Sequence, residues 1–238
     1  MKIRHYCTKC KNYEQEEILS ISSIPQDFTV RVKCKEGHNQ IIYLANPLYS
    51  LLFDNSIIAF KSNNYRSSIF EAASALERFF EKIISVLIIP HKEIGNMEKA
   101  IQYNAAWKLI KNMSERQLGA FIMLFHKTTN QLPVLLKEKL INLRNNTIHK
   151  GYLPLEEEAL QFLRSVYDLI QTNRSIIRPH DEDAFWLLEQ RVDFENLSNP
   201  NDDPEETIEY SGAHFFNSAF GVGFNQSLEN YYANHLKT

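Results

Sequence analysis

Glycine and proline are scarce, at 7 and 8 of 238 residues. That excludes collagen-like and low-complexity chains and argues against a sandwich rich in tight turns. Long apolar runs are also missing. The longest, Ile83-Ile84-Ser85-Val86-Leu87-Ile88-Ile89, is interrupted by Ser85 and stopped by Pro90. It falls well short of a membrane span. The opening residues, MKIRHYCTKC, lack the apolar core of a secretory signal. The expectation is a soluble, cytoplasmic chain that does not meet a membrane. Cysteine is limited to Cys7, Cys10 and Cys34. An odd number crowded near one end, beside His38, points away from a disulfide framework and toward metal.

Positive charge is absent from residues 192–236. That stretch holds eight acids: Asp193, Glu195, Asp202, Asp203, Glu205, Glu206, Glu209 and Glu229. It therefore carries −8 against a chain total of −3, which leaves the rest of the chain at +5. A mildly basic body with an acidic C-terminal region suits RNA better than the total charge suggests.

What is present supports a real core. Hydrophobic residues make up 44% of the chain and aromatics 12%, enough for one sizeable domain plus a small module. Residues 1–47 read as a small β module. Residues 28–33 alternate and are rich in β-branched side chains, residues 40–44 read as a return strand, and Lys35-Glu36-Gly37-His38-Asn39 is turn chemistry between them. From about Asn63 the period changes. Ile69, Ala72, Ala73, Leu76, Phe79, Phe80, Ile83 and Leu87 recur at three- and four-residue spacing, a long amphipathic helix that Pro90 ends. A weaker helical pattern covers residues 97–111. Ser114-Glu115-Arg116-Gln117 has the form of a capping box. Pro133 suits the first turn of the next helix, whose apolar stripe is Leu136, Leu140 and Leu143. Glu156, Glu157 and Glu158 open another, with Ala159, Phe162, Leu163, Val166 and Ile170 on its apolar face. Asp181 has the chemistry to cap a last short helix. The expected architecture is mainly α, with a helical domain over residues 60–195 and an acidic, irregular C-terminal region over residues 196–238.

Cys7-x2-Cys10 and Cys34-x3-His38 are two close ligand pairs of the types that hold zinc tetrahedrally. A shell closed by four protein ligands makes the role structural. The pattern resembles a zinc ribbon over roughly the first 45 residues, with His5 as a competing fourth ligand. A module this small gains folding energy from its metal. RNA contact, partner docking and plain structure all remain open as its purpose. Lys9, Lys11, Arg31, Lys33 and Lys35 supply cations for the first.

The second constellation is Arg144-Asn145-Asn146-Thr147-Ile148-His149. In a continuous helix Arg144 and His149 stand about 140° apart, whereas Asn145 and His149 share a face. Asn145 is placed to fix the imidazole tautomer. Arg144 must reach around, or the helix must loosen through Asn-Asn-Thr, which are weak helix formers. The residue types suit chemistry on a phosphodiester. His149 serves as general base on a ribose 2′-hydroxyl, Arg144 grips the phosphate, and Lys150 adds attraction. Attack by that hydroxyl on its own phosphate needs no catalytic metal. The bland reading is a polar inter-helix turn.

Arg144-Asn145-x3-His149 resembles the Arg-x4–6-His motif of HEPN domains. So does its setting: the stretch from Leu143 through Gly151 and Tyr152, preceded by a long helix holding Ala72-Ala73-Ser74-Ala75-Leu76-Glu77-Arg78-Phe79. The resemblance spans residues 63–174. It implies a HEPN-like helical bundle that forms a homodimer, with metal-independent endoribonuclease activity of the toxin or antiviral-defence kind and RNA as partner. An antitoxin or regulatory protein is a further implied partner. The implied site is Arg144, Asn145 and His149, with Lys150 and Tyr152 beside the substrate. Gly151 stands where some toxin members carry tyrosine, so control by tyrosine nucleotidylation is not implied. Other members of this family are non-catalytic modules that bind RNA, nucleotide or protein. Glu71, Ser74, Glu77 and Arg78 are candidates to approach the motif from the long helix.

Overall fold

Hydrophobic alternation ends at Asn46, and a run that is apolar almost all round begins at Leu48. The computed structural model turns that switch into a boundary between two compact units. It describes residues 2–7, 10, 16–20, 29–43, 46–88, 97–181 and 207–210. Among these, helix dominates, and the chain is mainly α.

The first unit is β. Strands β1 (Lys2–Tyr6) and β2 (Glu16–Ser20) pair antiparallel, with Tyr6 opposite Glu16. Strands β3 (Thr29–Lys33) and β4 (Asn39–Tyr43) form a second antiparallel pair, closed at Lys33 and Asn39. The return strand is the one the sequence suggests. Within the C-terminal region expected to be irregular, β5 (Thr207–Tyr210) adds in parallel to β4, Gln40 opposite Thr207 and Tyr43 opposite Tyr210. The order is β3-β4-β5.

The second unit is a helical bundle around α2 (Tyr65–Ile88). The helix α1 (Leu48–Lys61) precedes it, and Asn63, at φ 57°, turns the chain between them. The sequence pattern gives no sign of α1. It buries Tyr49, Leu51, Phe53, Ile57 and Phe60 together with Ser50, Asp54 and Ser56, so it shows no polar face to betray a 3.6-residue period. Helices α3 (Met97–Lys108), α4 (Ser114–Thr129), α5 (Glu138–His149) and α6 (Glu156–Ile177) follow. Phe79, Phe121, Phe125 and Phe162 are fully buried. Burial of each such ring contributes roughly 1.5–3 kcal/mol. Ring contacts tie the layers: Tyr49 meets Phe79 edge-on at 5.3 Å, Phe53 lies 5.9 Å from Tyr167, and Phe80 stacks on Phe121 at 4.4 Å.

Two local expectations are corrected. Ser114 does not cap α4. Met113 is the extended residue before it, and the Gln117 amide donates to the Lys111 carbonyl at 2.6 Å instead of turning back to the cap. Pro133 does not open a helix either. Residues 132–137 form no regular element, and Asn173, wholly buried on α6, holds them: it donates to the Val134 carbonyl and accepts from the Val134 N–H, each at 2.9 Å. A short helix after Asp181 would lie outside the described residues.

Candidate functional site

The β unit brings four potential ligands of two types, three thiols and one imidazole, to one point. Cys7 follows β1, and Cys10 sits one tight turn later, its N–H 3.2 Å from the Cys7 carbonyl. Cys34 and His38 flank the hairpin loop between β3 and β4. Gly37, at φ 87°, lets that loop close: its N–H donates to the Cys34 carbonyl at 2.8 Å. The ligand atoms of all four residues lie within 4.8 Å of one another. His38 Nδ1 stands 3.6 Å from Cys7 Sγ and 3.5 Å from both Cys10 Sγ and Cys34 Sγ, and the Cys10 and Cys34 sulfurs are 3.7 Å apart. A tetrahedral zinc, with Zn–S of about 2.3 Å and Zn–N of about 2.0–2.1 Å, sets sulfur–sulfur edges of ~3.8 Å and sulfur–nitrogen edges of ~3.6 Å. The spacing fits a metal ion and is compatible with structural zinc.

Burial, then hydrogen bonding and charge from Cys7 and Cys34, pushes the pKa of the Cys10 thiol up to about 12. Burial also works to raise Cys34, but the His38 N–H, its neighbouring thiols and the Glu36 N–H outweigh it and bring Cys34 down to about 7. Thiolates this close repel unless a cation sits among them. None of the three cysteines is in a disulfide.

In the helical unit α5 stays helical through His149, so the motif does not loosen. Leu140 and Thr147 are buried on the face toward the bundle, with Leu143 and Ile148 packed partly against the core. Arg144 belongs to that face. Its guanidinium donates to the Glu77 carboxylate on α2, a short ion pair between side chains each about a third exposed. It also donates to Asn145 Oδ1 at 3.1 Å. Two of its five N–H groups serve these bonds, leaving three. The expected pairing of Asn145 with His149 does not form. Asn145 supports Arg144 instead, and His149 is exposed, its imidazole making no hydrogen bond among the described residues.

The chain leaves α5 through Gly151, at φ 71°. Lys150 and Tyr152 return their N–H groups to the Asn146 carbonyl at 3.0 and 3.1 Å. A Cβ at Gly151 would meet nothing within 4 Å, so the backbone conformation alone requires glycine there. Lys150 is exposed beside His149. Tyr152 is not free for a substrate as it stands: its hydroxyl donates to Glu158 at 2.9 and 3.2 Å. That bond to a carboxylate, then burial, holds the tyrosine above its ordinary value. Glu158 also accepts the Leu155 N–H at 2.9 Å, capping α6.

Sequence spacing brings Arg144, Asn145 and His149 onto one helix, and of the four long-helix residues expected to approach the motif Glu77 is the one that bonds Arg144. Glu71, Ser74 and Arg78 share that helix. Arg78 pairs with Glu81 rather than with the motif.

No protein-family model matches this chain, and searches of curated proteins and of solved structures find no match.

Proposed function

We propose that the helical unit is a HEPN-type endoribonuclease that works as a homodimer, and that the β unit is a zinc ribbon. One observation carries the enzyme reading: Arg144, held in place by Glu77 and Asn145, shares a helix with an exposed His149 whose imidazole is unbonded among the described residues. His149 takes the proton from a ribose 2′-hydroxyl, whose oxygen attacks the adjacent phosphorus. Arg144 turns its remaining N–H groups to the phosphate oxygens. The 5′-oxygen leaves and receives a proton, and the product end is a 2′,3′-cyclic phosphate.

Helix geometry supports the second copy. Arg144 and His149 point about 140° apart on α5, so one chain does not present both to one phosphate. Ile141, Asn145 and His149 form a line on the outer face, and Ile141, Leu153 and Leu155 are exposed apolar residues on and after that helix. Pairing of this face between copies would bring two His149 side chains to one scissile bond, one as base and one as acid.

In the β unit, Cys7, Cys10, Cys34 and His38 would hold the zinc. When bound, it joins the Cys7–Cys10 turn to the β3–β4 loop through a closed shell, with no position left for substrate.

The alternative is a non-catalytic HEPN module that binds RNA, nucleotide or protein. The Glu77 pair favours it, because that pair already neutralises Arg144. Cleavage of a labelled oligoribonucleotide in magnesium-free buffer separates the two. The enzyme reading expects Arg144→Ala and His149→Ala each to lower the rate at least 100-fold. Equal residual rates in wild type and both variants would mean a contaminant and would leave only the binding module.

A further inference from the structure

The four ligand side chains of the β unit are not equally sheltered. Cys7 and Cys34 are each only 5% exposed, whereas Cys10 and His38 are half-buried. Their hydrogen bonding differs too. The Cys34 sulfur accepts the His38 backbone N–H at 3.3 Å, a bond that draws charge off the sulfur and lowers its nucleophilicity. Cys10 Sγ accepts no backbone N–H among the described residues; its neighbours are Cys34 Sγ at 3.7 Å and His38 Nδ1 at 3.5 Å. A cysteine that ligates zinc stays deprotonated, so access and accepted hydrogen bonds decide how readily it reacts. By both measures Cys10 is the sulfur that a small oxidant in solvent reaches first. The Cys34 sulfur lies a short side-chain movement away from it. The two belong to different segments, Cys10 to the turn after β1 and Cys34 to the loop between β3 and β4.

We propose that this cluster is a peroxide-sensitive switch, in which Cys10 and Cys34 give up a shared zinc ion and form a disulfide. The switch rests on the zinc reading of the β unit and is independent of what Arg144 and His149 do. Cys10 Sγ attacks hydrogen peroxide: an S–O bond forms, the O–O bond breaks and hydroxide leaves, which makes a sulfenic acid. Cys34 Sγ then attacks Cys10 Sγ: an S–S bond forms, the S–O bond breaks and a second hydroxide leaves. The two sulfurs together lose two electrons and the peroxide gains them. Two protons from solvent turn the hydroxides into water. Only Cys7 and His38 are then left of the four ligands, too few to hold the ion. The turn and the loop stay joined, now by a covalent bond, while Cys7 and His38 are released. A thiol reductant reverses the step and restores the ligand set.

The test uses the full chain, its zinc content first measured, with hydrogen peroxide as oxidant and a chromogenic zinc chelator as reporter. Wild type should release about one zinc per chain as about two thiols disappear. Peptide mapping should find Cys10 joined to Cys34, and dithiothreitol with added zinc should restore both the thiols and the ion. Cys10→His keeps a fourth ligand but removes the attacking sulfur. It should hold zinc and release it roughly tenfold more slowly under peroxide. Cys7→His should hold zinc and release it as fast as wild type. Where a variant does not load zinc, the wild-type map decides by itself. A bond between Cys10 and Cys34 supports the switch, and one from Cys7 to either overturns it. Release of zinc from Cys10→His as fast as from wild type overturns it too, as does a sulfinic acid that dithiothreitol does not reverse. A chain that holds zinc and keeps it under peroxide loses the switch and leaves the ribbon standing. A chain purified without zinc removes both.

Discussion

Single side chains carry the most specific consequences. Glu71 is half-buried on α2 with no hydrogen-bond or ion-pair partner among the described residues, and burial raises its carboxyl above the ordinary value. A raised value means that the folded state disfavours ionisation. The stabilising contribution of the protonated form is complete below the ordinary carboxylate range and is lost as pH rises through the folded value. Glu71→Gln, which stays neutral, should raise the melting temperature by about 1–2 °C at pH 7, and the gain should vanish near pH 4. A calorimetric difference that is the same at both pH values would contradict this. Asn145 shows what spacing conveys at this scale and what it omits. The four-residue rule correctly puts Asn145 and His149 on one side of α5. It does not decide between two neighbours competing for one amide, and the charged guanidinium of Arg144 is the stronger donor.

At the scale of elements, the irregular segment of residues 132–137 depends on one side chain. Asn173 satisfies both backbone groups of Val134 from inside the bundle. Asn173→Ala leaves a donor and an acceptor without that partner and should lower stability by about 2–3 kcal/mol in a denaturant titration. A loss below about 0.5 kcal/mol would mean that water replaces the clamp at little cost. This clamp also explains why Pro133 misleads. Proline is compatible with a first helical turn and with non-helical chain alike, and the choice is made by Asn173, 39 positions from Val134. Helices α2 and α6 were legible because each has one apolar stripe and one polar face. Helix α1 was not, because burial on nearly every side removes the contrast on which periodicity depends. The capping box failed for a related reason: Gln117 has a buried alternative in the Lys111 carbonyl.

At the scale of the molecule, the ligand pattern was legible in full, since Cys7, Cys10, Cys34 and His38 converge as their spacing suggests. The addition of β5 was not, because parallel pairing of distant segments leaves no turn signal between them. Purified protein should contain about one zinc per chain by elemental analysis, and Cys34→Ser should lose it. Metal-free wild type with an intact β unit would contradict a structural role. Removing the ion should loosen β3 and β4 first, read as faster amide exchange there, while α2 and α6 keep their protection. The central claim concerns what the helical unit does to RNA. It is tested most directly by mass spectrometry of the ends left on a defined oligoribonucleotide. Attack by the 2′-hydroxyl predicts a 2′,3′-cyclic phosphate on one fragment and a 5′-hydroxyl on the other, with no cut where that nucleotide is 2′-deoxy. Fragments ending in a 3′-hydroxyl and a 5′-phosphate, or an RNA left whole, would contradict it.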